Sequence, residues 1–182
     1  MILTTKRMIL RPWQENDAAA LYELAKDPQI GCAAGWKPHA DINESLNIIK
    51  TILCNSNTEE DFALTFKEQE TPIGCIGLRI GKQSSLNIAD DEGEIGFWLG
   101  VPYWGTGLMT EAAKEIIRYG FEEKKLSSIW SGYYDGNEKS KRVQEKCGLQ
   151  YRYTIKQKPV PLLNEIRTEH VTCLTKTVWM EK

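Results

Sequence analysis

The stretch that decides the fold reads Gly93-Glu-Ile-Gly-Phe-Trp-Leu-Gly-Val-Pro-Tyr-Trp-Gly-Thr-Gly-Leu-Met-Thr-Glu-Ala112. Residues 94–101 are uncharged after Glu94 and predict a strand. From residue 108 to 121, apolar residues recur every third or fourth position with charges between them, which predicts an amphipathic helix. Gly105 and Gly107 lie between the two elements. The stretch therefore predicts a strand, a tight glycine turn and a helix in direct succession.

A glycine turn before a helix has two interpretations. The first N–H groups of a helix have no partner within the helix, and the helix dipole adds positive charge there, so the turn can hold a phosphate through its main chain. Alternatively, Gly105 and Gly107 serve only close packing. Two nucleotide-binding motifs are excluded, because Leu108 stands where a Walker motif needs lysine and Thr110 where a dinucleotide motif needs glycine.

The same run resembles the acyl-CoA-binding motif of the GNAT N-acetyltransferase superfamily, Gln/Arg-x-x-Gly-x-Gly/Ala. It is most similar to the branch that acetylates the N-termini of ribosomal proteins, in which Tyr-Trp-Gly-x-Gly precedes Thr-Glu-Ala. The resemblance extends, in order, over four further segments: Lys6-Arg-Met-Ile-Leu-Arg-Pro, Pro72-Ile-Gly-Cys-Ile-Gly-Leu, Asp135-Gly-Asn137-Glu-Lys-Ser140 and Glu145-Lys-Cys-Gly148-Leu.

Three positions depart from the family pattern. Trp104 replaces the Gln or Arg, as is common in this branch, and Leu149 replaces the usual Phe. Met109 replaces a small Gly or Ala, and we expect its side chain to crowd the turn that would hold the pyrophosphate.

Length and pattern predict one α/β domain over residues 1–182, since about 100–200 residues make a domain. Strands and helices interleave along the chain, and the resemblance implies a mixed, mostly antiparallel central sheet of about seven strands flanked by helices. Predicted strands cover residues 8–11, 62–67, 73–80, 94–101, 127–134, 150–158 and 169–178. A short polar helix is predicted over residues 140–146.

Two helices are predicted before the second strand. Asn16 or Asp17 can cap the first helix, which Pro28 would end. Asp41 begins the second with capping-box spacing to Glu44. Residues expected to face inward are Leu21, Leu24 and Ala25 in the first helix, and Ile42, Leu46, Ile49 and Leu53 in the second. The polar residues 55–57 would end the second helix.

Composition excludes several classes of protein. Hydrophobic residues are 41% and charged residues 26% of the chain, and the net charge is −2, so neither disorder nor a basic nucleic-acid module is expected. The longest uncharged stretch, residues 95–110, is shorter than the ~20 apolar residues of a membrane span. Five scattered cysteines without a CxxC pair predict free thiols in a reducing cytoplasm, and with two histidines no metal is expected.

The resemblance implies acetyl-CoA as co-substrate and a set of residues that bind it. Leu99 and Val101 would offer backbone groups to the pantetheine arm, and Thr106 and Thr110 place hydroxyls within reach of a phosphate. The implied cofactor-binding residues are Leu99, Val101, Trp104, Gly105, Thr106, Gly107, Leu108, Met109, Thr110 and Asn137.

Acetyl transfer needs a neutral amine and a proton for the departing thiolate. Glu94 is the candidate general base; alternatively it is a solvated residue at the end of the acidic run 90–92. Asn137 would place the acyl group or bond the pantetheine amide, and it is equally suited to be a helix N-cap. Ser140 is the candidate general acid, with a role in capping the helix as its alternative.

The acceptor is predicted to be a protein N-terminal α-amine, such as that of a ribosomal protein. An α-amine of pKa about 7.7–8.0 needs only a modest base, whereas a lysine of pKa about 10.4 needs a stronger one. A polyamine, an aminoglycoside or a non-catalytic acyl-CoA sensor are the alternatives, and Met109 favours the sensor. Residues 27–39 and 159–167 are expected to wall the acceptor side. No nucleic acid or membrane partner is expected, and a homodimer is left open.

Overall fold

The computed structural model describes residues 1–54 and 59–181. Within them one eight-stranded sheet has the order β1-β2-β3-β4-β5-β6-β8-β7. Its strands are β1 (Leu3–Thr4), β2 (Met8–Pro12), β3 (Glu59–Phe66), β4 (Pro72–Ile80), β5 (Glu92–Leu99), β6 (Ser128–Tyr134), β7 (Gln150–Val160) and β8 (Glu165–Thr175). All neighbours are antiparallel except β5 and β6. The predicted α/β class and mixed sheet are confirmed, and the eighth strand is the short β1 beside β2.

The helices cover both faces of the sheet. They are α1 (Ala18–Ala25), α2 (Pro28–Ala34), α3 (Ile42–Ile48), α4 (Leu108–Glu122), α5 (Glu138–Cys147) and α6 (Lys176–Met180). The larger core lies where α4 packs on the sheet, and a smaller one lies where α1 and the segment after α3 pack on the other face. Because both faces are covered, Ala63 and Thr65 are as buried as Phe62 and Leu64 on β3. None of the helices in the described residues is long and apolar enough to cross a bilayer.

The region around Pro28 differs from the prediction. Instead of only ending a helix, Pro28 occupies the first turn of α2, and the side chain of Asp27 accepts a hydrogen bond from Gln29 N at 2.9 Å. Asp17 does stand at the N-cap of α1, but its carboxylate bonds Arg11 at 2.7 and 2.8 Å instead of the helix. Proline fits the first helical turn because its missing N–H has no partner there.

The capping signal at α3 is confirmed in part. Asp41 Oδ1 accepts from Glu44 N at 2.8 Å, while the Glu44 carboxylate takes the N–H of Ala40 and not that of Asp41. The expected inward position of Ile42 is wrong, since that side chain is 47% exposed and Ser45 is buried. The chain continues through a π-helical turn, Ile49–Leu53. Residues 55–57 lie outside the described residues.

The end of the chain is a helix where a strand was predicted. β8 stops at Thr175, and α6 folds back over α4. Trp179 of α6 packs on Phe121, with ring centroids 5.2 Å apart. The apolar residues of α6 therefore cover the core beside α4 instead of extending strand β8.

Candidate active site

A gap opens in the sheet between β5 and β6. The two strands pair only at Glu92–Ser128, Gly93–Ile129 and Glu94–Trp130. Beyond these positions β5 continues along β4 to Leu99, and β6 continues along β8 to Tyr134. Ser131 Oγ donates to Ile95 O at 2.9 Å at the point of divergence. The carboxyl ends of parallel strands are the usual place for a ligand in such sheets.

The glycine turn follows β5 at this edge and carries free hydrogen-bond donors. Gly105 and Gly107 have φ of +75° and +79°, which favours glycine, and α4 begins directly after them. The backbone N–H groups of residues 105–110 meet no acceptor in the described part of the chain. A row of free N–H groups at the start of a long helix fits a diphosphate.

The side chains of Leu108 and Met109 do not cover the free N–H groups of the turn. Leu108 and Met109 are 3% and 6% exposed and lie in the core. The expectation that Met109 crowds the turn is therefore wrong, because its side chain packs away from the free N–H groups.

Two other side chains brace the turn internally. Trp104 Nε1 donates to Leu99 O at 2.7 Å, and Thr106 Oγ1 donates to Tyr103 O at 2.6 Å. The carbonyl of Val101 accepts from Trp104 N at 3.1 Å. Thr110 Oγ1 makes no hydrogen bond with the described residues. The carbonyl oxygens of Leu99 and Val101 thus each accept one hydrogen bond within the protein.

Arg7 joins the turn from the loop between β1 and β2, and sequence reasoning missed it. Its Nε and its backbone N bond Glu111 in the first turn of α4, both at 2.7 Å, and its Nη1 donates to Thr106 O at 3.1 Å. Burial alone would raise the pKa of Glu111, but hydrogen bonds from Thr5 and Arg7 hold that pKa below its ordinary value. No sequence pattern links Arg7 to a residue about a hundred positions away.

Asn137 is the N-cap of α5. Its Oδ1 accepts from Ser140 N at 3.1 Å, and its Nδ2 donates to Ala33 O of α2 at 3.4 Å. The N-cap interpretation is confirmed, while the ligand role stays a prediction. Since Asn137 caps this helix, the Ser140 hydroxyl does not.

Ser140 Oγ is held by a buried amide. Gln144, 1% exposed, donates from Nε2 to Ser140 Oγ at 3.1 Å and to Gly132 O of β6 at 3.0 Å. Its Oε1 accepts from Thr172 Oγ1 at 2.7 Å. Because Ser140 Oγ accepts from Gln144, its own proton is free to point elsewhere. Sequence reasoning missed Gln144; its four-residue spacing from Ser140 was the only signal.

Glu94 lies on the face of the sheet opposite to α4. Ser84 Oγ and Ser85 N donate to its Oε2, both at 2.7 Å, and Ser85 Oγ donates to its Oε1 at 3.0 Å. Lys158 reaches Ser85 Oγ at 3.2 Å and forms an ion pair with the buried Glu169. Glu94 is therefore a positioned carboxylate in a polar network, and not the solvated end of an acidic run.

The predicted acceptor walls meet beside this network. Arg167 from the β7–β8 hairpin donates to Cys32 O of α2 and lies 5.0 Å from the ring centre of Tyr134. A Cβ on Gly35 would come within 2.9 Å of the Tyr134 hydroxyl. Burial raises the pKa of the Tyr134 phenol, and the charge of Glu169 adds to the rise. Residues of both predicted segments thus close one side of the gap.

The predicted acetyl transfer uses neither a cysteine thiol nor a metal ion. None of the five cysteines forms a disulfide, and burial raises the pKa of the Cys75 and Cys173 thiols, which disfavours the thiolate. Among the described residues no group of three or more His, Cys, Asp or Glu could hold a metal ion.

The same fold is found in solved acetyltransferases. A Vibrio cholerae protein, provisionally named a ribosomal-protein-serine acetyltransferase, has a TM-score of 0.79 at 18% identity and covers 96% of this chain and 97% of its own. AAC(6′)-Ib in complex with ribostamycin and coenzyme A also has a TM-score of 0.79, at 16% identity, with coverage of 96% and 97%. These structures show that the chain has the α/β fold found in solved acetyltransferases.

Sequence comparison gives the family. The model of the acetyltransferase (GNAT) domain matches residues 7–150. An uncharacterized N-acetyltransferase, p20 of Bacillus licheniformis, is 30% identical over 129 residues, which are 70% of each chain. The chain therefore belongs to the GNAT acetyltransferase family and is an acetyl-CoA-dependent N-acetyltransferase.

Proposed function

We propose that residues 1–182 form a single catalytic domain that moves acetyl from acetyl-CoA directly to the α-amine of a protein N-terminus, such as that of a ribosomal protein. One observation carries the proposal: the free N–H groups of residues 105–110 lie at the same edge of the sheet as the gap between β5 and β6. The turn would hold the diphosphate, and the gap would admit the thioester.

The donor would be bound mainly by main chain. Acetyl-CoA supplies the activated acetyl group as a thioester. Gly105, Thr106, Gly107, Leu108, Met109 and Thr110 would give their N–H groups to its diphosphate, beside the indole of Trp104. Leu99 and Val101 would meet the pantetheine arm through the backbone at the edge of β5. Asn137, at the start of α5, would bond the arm from the other side.

The transfer forms one C–N bond and breaks one C–S bond. The amine loses one proton and the departing sulfur gains one. Ser140 supplies the proton to the sulfur from Oγ and regains one from solvent afterwards. One lone pair of Oγ accepts from Gln144, so the O–H is not used in that bond.

Glu94 takes the proton from the amine, directly or through water. Its three hydrogen bonds hold the carboxylate in one orientation. A weak base is sufficient for an α-amine, whose pKa of about 7.7–8.0 leaves a fraction neutral near pH 7.

The face of the sheet opposite to α4 carries carboxylates that can attract an ammonium group of the acceptor. On strands β3, β5 and β8 they include Asp61, Glu92, Glu94 and Glu169. Arg79 pairs with Asp61 at 3.4 Å, and Lys158 pairs with Glu169. Among the described residues Glu94 forms no ion pair, so its charge is available to an α-ammonium group of the acceptor. The name of the Vibrio cholerae protein agrees with such an acceptor.

The test compares acceptors at equal concentration while CoA thiol release is measured. Peptides with the N-terminal sequences of ribosomal proteins should release thiol, and mass spectrometry should place the acetyl group on the α-amine. The matched control is the same peptide with its α-amine already acetylated, which should be inert. Release with the blocked peptide would overturn the α-amine assignment.

A small-molecule amine is the second candidate. The observation in its favour is the shared fold with AAC(6′)-Ib, which was solved with ribostamycin. Faster turnover of an aminoglycoside or polyamine than of every peptide would establish it. If the protein binds acetyl-CoA but releases no CoA thiol with any amine, the non-catalytic sensor is favoured. The burial of Met109 removes the feature that suggested this alternative. Location in the cytoplasm and a homodimer stay predictions.

A further inference from the structure

Arg7 and Arg11 both lie near the start of the chain, but their guanidinium groups have different partners. Arg11 bonds both oxygens of Asp17 and also Glu70 O and Pro12 O, and its side chain is 13% exposed. Arg7 is 42% exposed, and its Nη2 meets no acceptor in the described residues. Arg11 is thus fully engaged within the protein, whereas Arg7 retains donors for something else.

The free edge of Arg7 lies at the glycine turn. The Nη2 atom is 3.7 Å from the position that a Cβ on Gly107 would take, and Nη1 is bonded to Thr106 O at 3.1 Å. Gly107 presents one of the free N–H groups, so the guanidinium and the main-chain donors face the same space.

Two contacts hold the guanidinium in this place. Glu111 binds Nε and the backbone N of Arg7, and Thr5 Oγ1 donates to the same carboxylate at 2.6 Å. Without a cation, the charge of Glu111 in the first turn of α4 would repel an anion at the turn. Arg7 neutralises that charge and still has an unused donor pair on Nη2.

We infer that Arg7 is a donor-binding residue that contacts the diphosphate of acetyl-CoA at the turn, with Glu111 as its positioning residue. This inference rests on the proposed role of residues 105–110. A guanidinium suits the task because its planar donors can bond two phosphate oxygens while one edge stays fixed to a carboxylate.

Titration calorimetry tests the inference with three ligands: CoA, 3′-dephospho-CoA and pantetheine. In Arg7→Gln we expect the Kd of CoA and of dephospho-CoA to rise about tenfold, since bonds to charged groups are among the stronger ones. The Kd of pantetheine, which lacks the diphosphate, should change less than about twofold. Lys6→Gln, which removes the same charge at the adjacent exposed residue, is the matched control and should leave all three within about twofold.

Several outcomes would overturn the inference. An equal rise for all three ligands would mean that Arg7 only supports the fold. A rise for CoA but not for dephospho-CoA would assign Arg7 to the 3′-phosphate. If Arg7→Gln does not fold, Arg7→Lys keeps the charge and should weaken CoA about threefold relative to wild type; unchanged binding would refute the role of Nη2.

Failure of the proposed function can be distinguished from failure of the inference about Arg7. If the wild-type protein does not bind CoA, or if Gly107→Val binds it normally, the turn is not the donor site and both proposals fall. If wild type binds, Gly107→Val does not, and Arg7→Gln matches Lys6→Gln, only the inference about Arg7 fails.

Discussion

Gln144 Nε2 donates a hydrogen bond to Ser140 Oγ at 3.1 Å, one helical turn away on α5. The same nitrogen donates to Gly132 O, which fixes the orientation of the amide, because a carbonyl oxygen can only accept. Ser140 Oγ is thereby an acceptor for the buried amide, and its own proton is not used in that bond.

Ser140→Ala tests the general-acid role. We expect turnover to fall about 10²–10⁴-fold, the usual contribution of a positioned acid, with little change in the Kd of CoA. The melting temperature should fall modestly, because the buried Gln144 amide loses one acceptor while Asn137 keeps the helix cap. Near-normal turnover in a stable variant would end the proposal.

Asn137 can be examined with a pair of substitutions. Asn137→Ala removes the cap and should cost about 1 kcal/mol of unfolding free energy. Asn137→Asp keeps an oxygen for Ser140 N and should restore most of that stability. If turnover stays low in the Asp variant while stability recovers, Asn137 also contacts the substrate; full recovery of both would leave capping as its whole role.

Glu94→Gln should lower turnover about 10²-fold, a typical loss when a general base is removed. The loss should grow below pH 7, where fewer acceptor α-amines are neutral. Glu92→Gln is the matched control, since that carboxylate lies two residues earlier on β5 and bonds only Ala89 N in the described residues. A pH–rate profile identical in shape for both variants would contradict the assignment.

Gly107→Val should abolish most CoA binding, because a branched side chain is strained at φ +79° and would stand over the free N–H groups. Gly148→Val serves as control: Gly148 has φ +91° at the C-cap of α5, so backbone strain is similar but the turn is untouched. Acetyl-CoA should raise the melting temperature of wild type and of Gly148→Val, and ATP and NAD should do so much less. Equal stabilisation by ATP would indicate a general phosphate site.

His39 makes stability depend on pH. Burial lowers its pKa, although Glu44 opposes the shift, and its Nδ1 lies 2.8 Å from Ser45 Oγ. Below the ordinary pKa of about 6.5 the unfolded chain therefore binds more protons at this site than the folded protein does, so stability falls as the pH falls. Melting temperatures between pH 7.5 and about 5.5 should decline more steeply for wild type than for His39→Gln. Parallel curves would show that the imidazole does not contribute.

Local patterns were sufficient for much of the fold. The alternation at Phe62 predicts β3 and the helical period from Leu108 predicts α4, although β3 is buried on both faces and only α4 buries one regular face. The signal for α2 was also present, as Asp27 followed by Pro28 is a helix start, but it was interpreted only as an end. Trp179 shows the limit: an apolar residue near a chain end does not reveal whether it extends a sheet or packs on a helix.

The site could be predicted only where its residues are close in sequence. The turn and Asn137 belong to short motifs, and the structure places both at the gap. Arg7 and Gln144 were missed, since each acquires its partners from elements far along the chain. Met109 was misjudged for a related reason, because the direction of its side chain depends on how α4 packs.

The short pairing of β5 with β6 also bears on how the protein opens and unfolds. Strands β1–β5 and strands β6–β8 each form their own continuous antiparallel ladder. In the described residues the two ladders are joined by three paired positions and by the bonds of Ser131 to Ile95 and of Ser127 to Asp91. Separating the ladders breaks few hydrogen bonds, so fluctuations at this junction require less free energy than unfolding of either ladder. We therefore expect the amide hydrogens of the junction to exchange with solvent sooner than those of β4 or β8, and the gap to widen for product release while both ladders stay intact.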